Sequence, residues 1–165
     1  MFPSVLSREA ADLLAELSRR GLMLSTAESC TGGLVAALLT SVPGSSSVVD
    51  RGFVTYSNEA KVQMLGVPMT LIEAHGAVSV EVARAMAEGA QQRSIGDMAI
   101  SITGIAGPGG GSSEKPVGLV HFACARLDCA TLSLERRYGD IGREEIRMAA
   151  VADALALVRQ RLEIN

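Results

Sequence analysis

A serine between a predicted strand and a predicted helix is the first candidate for chemistry. The segment Leu22–Gly33 reads LMLSTAESCTGG: a short apolar strand, a turn that carries Ser29, and a helix start that two glycines make easy. The first N–H groups of a helix lack intrahelical acceptors and can stabilise an oxyanion beside a nucleophile. The pattern indicates that Ser29 is a nucleophile, with a simple N-cap as the alternative. Glu28 either orients a donor there or is a turn residue.

A serine hydroxyl needs a base, and the chain offers few candidates. Its two histidines, His75 and His121, have no neighbouring carboxylate in the sequence, and although distance along the chain does not exclude a Ser-His-Asp triad, no pattern predicts one. Lys61 is one of only two lysines. A lysine acts as a base when burial or a nearby cation lowers its pKa. Lys61 is therefore the predicted base, with a solvated helix residue as the alternative.

Three predicted strands end at candidate site residues. They cover Leu22–Thr26, Val48–Tyr56 and Met98–Thr103. Ser29 follows the first strand, Tyr56 ends the second and Thr103 ends the third. If these strands are parallel, their carboxyl ends share one edge of the sheet, which is where open α/β sheets bind ligands. Tyr56 is then a candidate for relaying or orienting a proton, with half-buried packing on the sheet as the alternative.

Two further segments predict anion binding at that edge. The loop Gly104–Pro116 is the most glycine-rich part of the chain, and its N–H groups can surround an anion, although no Gly-Lys-Ser/Thr sequence closes it. Arg143 and Arg147 share one stripe of the last predicted helix. Two cations near the positive end of a helix favour an anionic partner such as a phosphate. In the alternative, the arginines pair with Asp140 or Glu144.

The remaining elements are predicted from periodicity and from turn residues. Gly21 and Gly66 are placed to end two of the helices. Helices are predicted over residues 4–20, 33–40, 79–93 and 143–162, with a short helix capped by Asn58, a helical turn at 68–73, and a late hairpin of strands at 117–126 and 131–138. Strands that alternate with helices and end in a hairpin predict an α/β fold, a three-layer α/β/α sandwich with a mixed sheet of about five strands. We expect one domain over residues 1–165.

Composition restricts the class of partner. The 165 residues carry a net charge of −3 and only 3% aromatic residues, which argues against a nucleic-acid surface. Three cysteines without paired spacing argue against disulfides and a zinc site, and no apolar stretch is long enough to span a membrane. We expect no metal or cofactor, no nucleic-acid or membrane partner, a cytoplasmic location, and a homodimer or higher homo-oligomer.

Five segments of the chain are similar to those of a known family. They read TAESCTGG at 26–33, RGFVTYSNEAK at 51–61, HGAVS at 75–79, SITGIAGPGGG at 101–111 and EKPVGLV at 114–120. In these segments the chain resembles the CinA C-terminal-domain family, the nicotinamide-nucleotide amidases. It is similar to the stand-alone form, without the larger N-terminal domain of two-domain relatives.

The resemblance implies hydrolysis of nicotinamide mononucleotide to nicotinic acid mononucleotide and ammonia. It implies Ser29 as the nucleophile, Lys61 as its base and Tyr56 as a supporting proton donor. The turn, the glycine loop, the last helix and the resemblance together predict these substrate-binding residues: Cys30, Thr31, Gly32, Gly33, Thr103, Gly104, Gly107, Arg143 and Arg147. The segment YGDIG before Arg143 is a residue or two longer than usual, which leaves the choice of phosphate ligand between the two arginines open.

Two other functions stay open at this point. Cys30 adjoins Ser29 and its thiol is intrinsically the better nucleophile, so a cysteine-dependent amidase is one alternative. A nucleotide- or phosphate-binding module without catalysis is the other.

Overall fold

The strands form one five-stranded mixed sheet in this computed structural model, which describes residues 1–164. They are β1 (Leu24–Glu28), β2 (Val49–Val54), β3 (Met98–Gly104), β4 (Leu119–Arg126) and β5 (Leu132–Arg137). Their order in the sheet is β2-β1-β3-β4-β5. β1 pairs in parallel with β2 and β3, whereas β4 is antiparallel to both β3 and β5. The predicted parallel set and late hairpin are therefore both present.

Helices cover both faces of the sheet. They are α1 (Ser4–Arg20), α2 (Leu34–Thr40), α3 (Asn58–Leu65), α4 (Met69–His75), α5 (Val80–Gln92) and α6 (Arg143–Glu163), with a short 3₁₀ turn at Ser45–Ser47. One face packs against α1, α2 and α6, and the other against α3, α4 and α5. The α/β fold and mixed five-stranded sheet predicted from the sequence are confirmed.

Burial on both faces explains why the central strands are apolar at nearly every position. Leu24, Ile100 and Phe122 face α1, α2 and α6, while Ala27 and Ala99 face the opposite helix layer. Complete burial of a leucine, isoleucine or phenylalanine side chain contributes about 1.5–3 kcal/mol. Alternation along β1 therefore fixes which layer each side chain meets, and it leaves the residue after the strand at the carboxyl edge of the sheet.

The boundaries of β1 and β2 were predicted wrongly. β1 runs from Leu24 to Glu28, two residues later than expected, because pairing with β3 starts at Leu24 and Met98. β2 ends at Val54, so Tyr56 lies beyond the strand and is exposed. The shift of β1 puts Ser29 directly after the last paired residue.

The starts and ends of several other elements also differ. Asn58 is the first residue of α3 and not its cap, because the hydroxyl of Ser57 accepts the N–H of Ala60. The helical turn predicted at 68–73 is the helix α4, and it extends to His75. Gly21 and Gly66 end α1 and α3 in the left-handed conformation, as predicted.

Gly89 allows α5 to approach α3 closely, and we expect Gly89→Ala to destabilise the fold. A Cβ there would collide with the backbone oxygen of Leu65. Overpacking of this kind costs about 1–3 kcal/mol. Urea denaturation measures the loss, with Gly109→Ala as the control because its Cβ would meet nothing within 4 Å. Equal stability of the two variants would contradict the close packing.

Candidate active site

The parallel strands bring the predicted site residues to one edge of the sheet. The N–H of Ser29 donates to the Ile102 oxygen of β3, and the N–H of Thr55 donates to the Glu28 oxygen of β1. These bonds extend the pairing of the strands to the residues that follow them. A pocket of about 220 Å³ opens at this edge, and its lining includes Ser29, Cys30, Tyr56, Lys61, Thr103, Gly104 and Arg143.

Ser29 and Lys61 form a hydrogen-bonded pair at the base of this pocket. The Lys61 Nζ lies 3.1 Å from the Ser29 Oγ and 2.8 Å from the Thr55 carbonyl oxygen. Lys61 is 1% exposed and Ser29 is 9% exposed. The alternative in which Lys61 is a solvated helix residue is therefore wrong.

Local structure explains how a lysine reaches this position. The N-cap of Ser57 starts α3 just after β2, so Lys61 lies one turn into the helix, on the side that faces β1. Burial lowers the pKa of the Lys61 amine, and the smaller effect of the nearby Cys30 opposes that shift. Within residues 1–164 no carboxylate forms an ion pair with Lys61. A buried amine without a counter-charge is favoured in its neutral form.

Glu28 occupies most of the N–H groups that were expected to hold an oxyanion. Its buried carboxylate accepts the N–H groups of Gly33, Val35 and Ala36, at 2.9–3.1 Å. The N–H of Gly32 donates to the carbonyl oxygen of Ser29. Glu28 is thus the acceptor that holds the start of α2, and the expectation that the first N–H groups of this helix are available to an oxyanion was wrong.

The turn leaves one N–H group at the pocket. Cys30 lines the pocket, and no oxygen of the described residues accepts its N–H. Thr31 is fully buried and is absent from the lining of this pocket. The N-cap of α2 is Gly33, without a side-chain cap, so the alternative of Ser29 as an N-cap is also wrong.

The Cys30 side chain is poorly suited to nucleophilic attack. Burial raises the pKa of its thiol to about 12, although Arg147 and Lys61 act in the opposite direction. The thiolate is the reactive form of cysteine, and a thiol with such a pKa stays protonated near neutral pH.

Tyr56 and Arg143 meet at the pocket mouth. The Tyr56 hydroxyl accepts a hydrogen bond from the Arg143 Nη2 at 3.1 Å, and the Arg143 Nη1 donates to the Gly107 oxygen at 2.7 Å. Tyr56 is 63% exposed. Its side chain therefore closes one side of the pocket and does not pack on the sheet as in the alternative interpretation.

Arg147 lies on the other side of the Ser29 turn. Its Nε donates to the Cys30 oxygen and its Nη2 to the Thr31 oxygen, both at 3.1 Å. It is absent from the lining of the Ser29 pocket. Neither Arg143 nor Arg147 pairs with Asp140 or Glu144, so that alternative was wrong.

The end of β3 forms part of the pocket wall and contributes hydrogen-bonded polar groups to it. Thr103 and Gly104 line the pocket, and the Thr103 hydroxyl donates to the Ala77 oxygen at 2.8 Å. Gly107 is buried and contributes its carbonyl oxygen to Arg143. Sequence reasoning missed Thr55 and Ala77, which act through their backbone oxygens. A backbone carbonyl leaves no signal in residue type, so no pattern could have identified them.

Both histidines lie away from the Ser29 pocket. His121 Nε2 is 3.8 Å from a Glu135 oxygen, and His75 Nδ1 is 3.5 Å from a Glu81 oxygen. Neither histidine lines the pocket around Ser29. In the part of the chain that the structure describes, no three His, Cys, Asp or Glu side chains are grouped to hold a metal ion. No helix of residues 1–164 is long and apolar enough to cross a membrane.

Fold and pocket define an α/β protein with a buried serine–lysine pair, and comparisons with known proteins give its family. The family described as the CinA C-terminal domain matches residues 7–162. The chain therefore belongs to this family. A CinA-like protein of Parasynechococcus marenigrum is 53% identical over 154 residues, which cover 93% of this chain and 36% of that protein. The chain spans about a third of the length of the curated relatives it matches.

Solved structures agree with the fold. The crystal structure of the competence/damage inducible protein CihA from Agrobacterium tumefaciens has a TM-score of 0.95 and 53% identity, and the match covers 97% of each chain. A CinA superfamily protein from Escherichia coli has a TM-score of 0.89 and 33% identity, and the match covers 97% of this chain and 93% of that one.

We expect the buried Lys61 amine to make stability depend on pH. Between its lowered folded pKa and the unfolded value of about 10.4, the unfolded chain holds a proton on this lysine and the folded chain does not. The free energy of unfolding therefore rises with pH across that window, and the contribution ends above the unfolded value. Lys61→Met removes this rise.

Urea denaturation from about pH 7 to about pH 10 measures the slopes of wild type and variant. Lys115→Met is the matched control, because it replaces the only other lysine. Identical slopes for wild type and Lys61→Met would contradict a lowered pKa for Lys61.

Proposed function

We propose that this chain is an amidohydrolase that converts nicotinamide mononucleotide to nicotinic acid mononucleotide and ammonia. The observation that carries the proposal is the 3.1 Å contact between the Ser29 Oγ and the buried Lys61 Nζ. A serine beside a base is the signature of nucleophilic catalysis. The resemblance of five sequence segments to the family indicates the substrate, and the pocket contains the groups that would react with it.

In the first step, a neutral Lys61 accepts the Ser29 proton while the Ser29 Oγ bonds to the carboxamide carbon. The carbonyl oxygen of Thr55 accepts one N–H of the amine at 2.8 Å, and the amine nitrogen lies 3.1 Å from the Ser29 Oγ, within reach of the hydroxyl proton. The Cys30 N–H is the turn's donor for the resulting oxyanion. One such donor lowers the activation barrier by about 3 kcal/mol, and general acid–base catalysis raises the rate by about 10²–10⁴-fold.

In the second step, the carbon–nitrogen bond breaks and Lys61 returns the proton to the leaving group, which departs as ammonia. Water then attacks the acyl-enzyme as Lys61 accepts a proton from it, and the nicotinic acid product leaves as Ser29 regains its proton. Tyr56 acts as a supporting donor at the pocket mouth, where its hydroxyl meets Arg143.

Arg143 is the residue that we propose for the substrate phosphate. It lines the pocket and is exposed at its mouth, near the first turn of α6. The positive end of a helix adds to the attraction of a guanidinium for an anion. Arg147 already donates to two backbone oxygens and is absent from the lining of this pocket, which supports Arg143 as the phosphate ligand of the two arginines.

The other functions receive less support from the site. The raised pKa of the Cys30 thiol disfavours a cysteine nucleophile. A binding module without catalysis does not need an amine buried beside a serine, since burial without a counter-charge is unfavourable for a cation. A cytoplasmic location, a homo-oligomeric state and the absence of nucleic-acid and membrane partners stay predictions.

We expect Ser29→Ala and Lys61→Met each to abolish ammonia release from nicotinamide mononucleotide, a loss of at least about 10³-fold, because each removes one member of the proton-transfer pair. A coupled ammonia assay with purified protein measures turnover, and circular dichroism checks that the fold is retained. Cys30→Ser is the matched variant, and we expect it to keep turnover. Wild-type rates in Ser29→Ala would refute the nucleophile, and calorimetric binding without any ammonia from the wild type would favour a binding module.

We expect Arg143→Met to raise the KM for nicotinamide mononucleotide by about 10-fold or more, because a hydrogen bond to a charged group contributes about 1.5–3 kcal/mol. We expect the same variant to change the KM for nicotinamide riboside little, because this substrate has no phosphate. Steady-state ammonia release from both substrates measures the difference. Equal losses on the two substrates would show that Arg143 does not recognise the phosphate.

A further inference from the structure

Arg147 donates two hydrogen bonds to the backbone of the turn that carries Ser29. It lies one helical turn after Arg143 on α6, and it approaches the turn from the sheet face opposite to Lys61. Its planar guanidinium donates to two successive carbonyl oxygens, those of Cys30 and Thr31. A fork of fixed donors suits such a pair of acceptors, and lysine cannot reproduce it.

The Cys30 carbonyl depends on Arg147 alone. The Thr31 oxygen also accepts the N–H of Leu34, whereas among residues 1–164 no other donor reaches the Cys30 oxygen. A buried carbonyl without a donor is costly, so a turn that lost Arg147 would rotate this peptide in search of another partner.

The rest of the turn is held by other bonds. The carbonyl oxygen of Ser29 accepts the N–H of Gly32. The Glu28 carboxylate accepts three N–H groups at the start of α2. Gly32 and Gly33 have φ values of 57° and 97°, which bend the chain sharply. Arg147 therefore holds two peptide planes of the turn, and among the described residues the Cys30 carbonyl has no second donor, whereas the Thr31 carbonyl has the N–H of Leu34.

We infer that Arg147 is a positioning residue for the reaction. By holding the carbonyls of Cys30 and Thr31 it fixes the two peptide planes that follow the Ser29–Cys30 peptide. The Cys30 N–H belongs to that preceding peptide, so Arg147 acts on it by restricting rotation about the Cys30 backbone. It acts through this backbone and does not touch the substrate. The kinetic part of this inference rests on the proposed function, and the structural part does not.

Arg147→Met tests the inference against Arg159→Met, a matched substitution on the same helix. Arg159 donates to the Glu9 oxygen, far from the site. We expect Arg147→Met to lower kcat for ammonia release by about 10²-fold, the effect of a misplacement of about 1 Å in a reacting group. We expect its KM to stay within about threefold, because no substrate contact is lost. Arg147→Lys restores part of kcat, and Arg159→Met matches the wild type.

Hydrogen exchange of the peptide that contains residues 29–33 is the second measurement, and it needs no substrate. We expect faster exchange in Arg147→Met than in Arg159→Met, with similar exchange elsewhere. A raised KM with unchanged kcat would overturn the inference in favour of substrate binding by Arg147, and unchanged exchange would overturn it outright. If the wild type releases no ammonia, the proposed function fails, and exchange alone decides whether Arg147 holds the turn.

Discussion

The site depends on the Lys61 amine, which is buried and has no carboxylate paired with it among residues 1–164. An isolated ammonium is expensive to bury, so the surroundings of Lys61 favour the neutral form, which is the form that can accept a proton. The Lys61 amine has two hydrogen-bond partners, the carbonyl oxygen of Thr55 and the hydroxyl of Ser29. A carboxylate in place of either would restore the charge of the amine and remove its basic lone pair. Solvent exclusion by α3 and the strand ends is therefore what lowers the pKa of Lys61, and the proposed activation of Ser29 depends on it.

Parallel pairing is what brings these groups together. β1 lies between β2 and β3, and the register aligns Glu28 with Val54 and with Ile102. Of the residues that follow these partners, Ser29 and Thr103 line the pocket although they are 74 positions apart in the chain, and Thr55 accepts the Lys61 amine with its carbonyl oxygen. The shared edge of Ser29 and Thr103 could be predicted from the sequence, because apolar runs identify the strands and alternation with helices implies that they are parallel. The exact ends of β1 and β2 could not, because they depend on where pairing between strands begins.

The roles of the arginines show where prediction from sequence stops. Arg143 and Arg147 occupy one stripe of the helix, so the helical period predicts the same anion-binding role for both. Four residues advance a helix by about 6 Å. Arg143 therefore reaches the pocket mouth, while Arg147 reaches the carbonyl oxygens of the Ser29 turn. Both arginines bind carbonyl oxygens, of Gly107, Cys30 and Thr31, and these acceptors have no signature in residue type. The same holds for the N–H groups that Glu28 accepts, and so the supply of free donors in the turn was overestimated.

Glu28 also determines which effect sets the basicity of Lys61. The exposed N-terminus of a helix carries about half a positive charge, and a cation nearby would lose its proton more readily. The Glu28 carboxylate accepts three N–H groups of α2 and offsets that charge locally. Burial is then the dominant cause of the lowered pKa of Lys61. A base that is controlled by desolvation responds to occupancy of its pocket, because a bound substrate displaces the remaining water. In the proposed reaction, proton transfer from Ser29 is therefore favoured once the carboxamide fills the pocket.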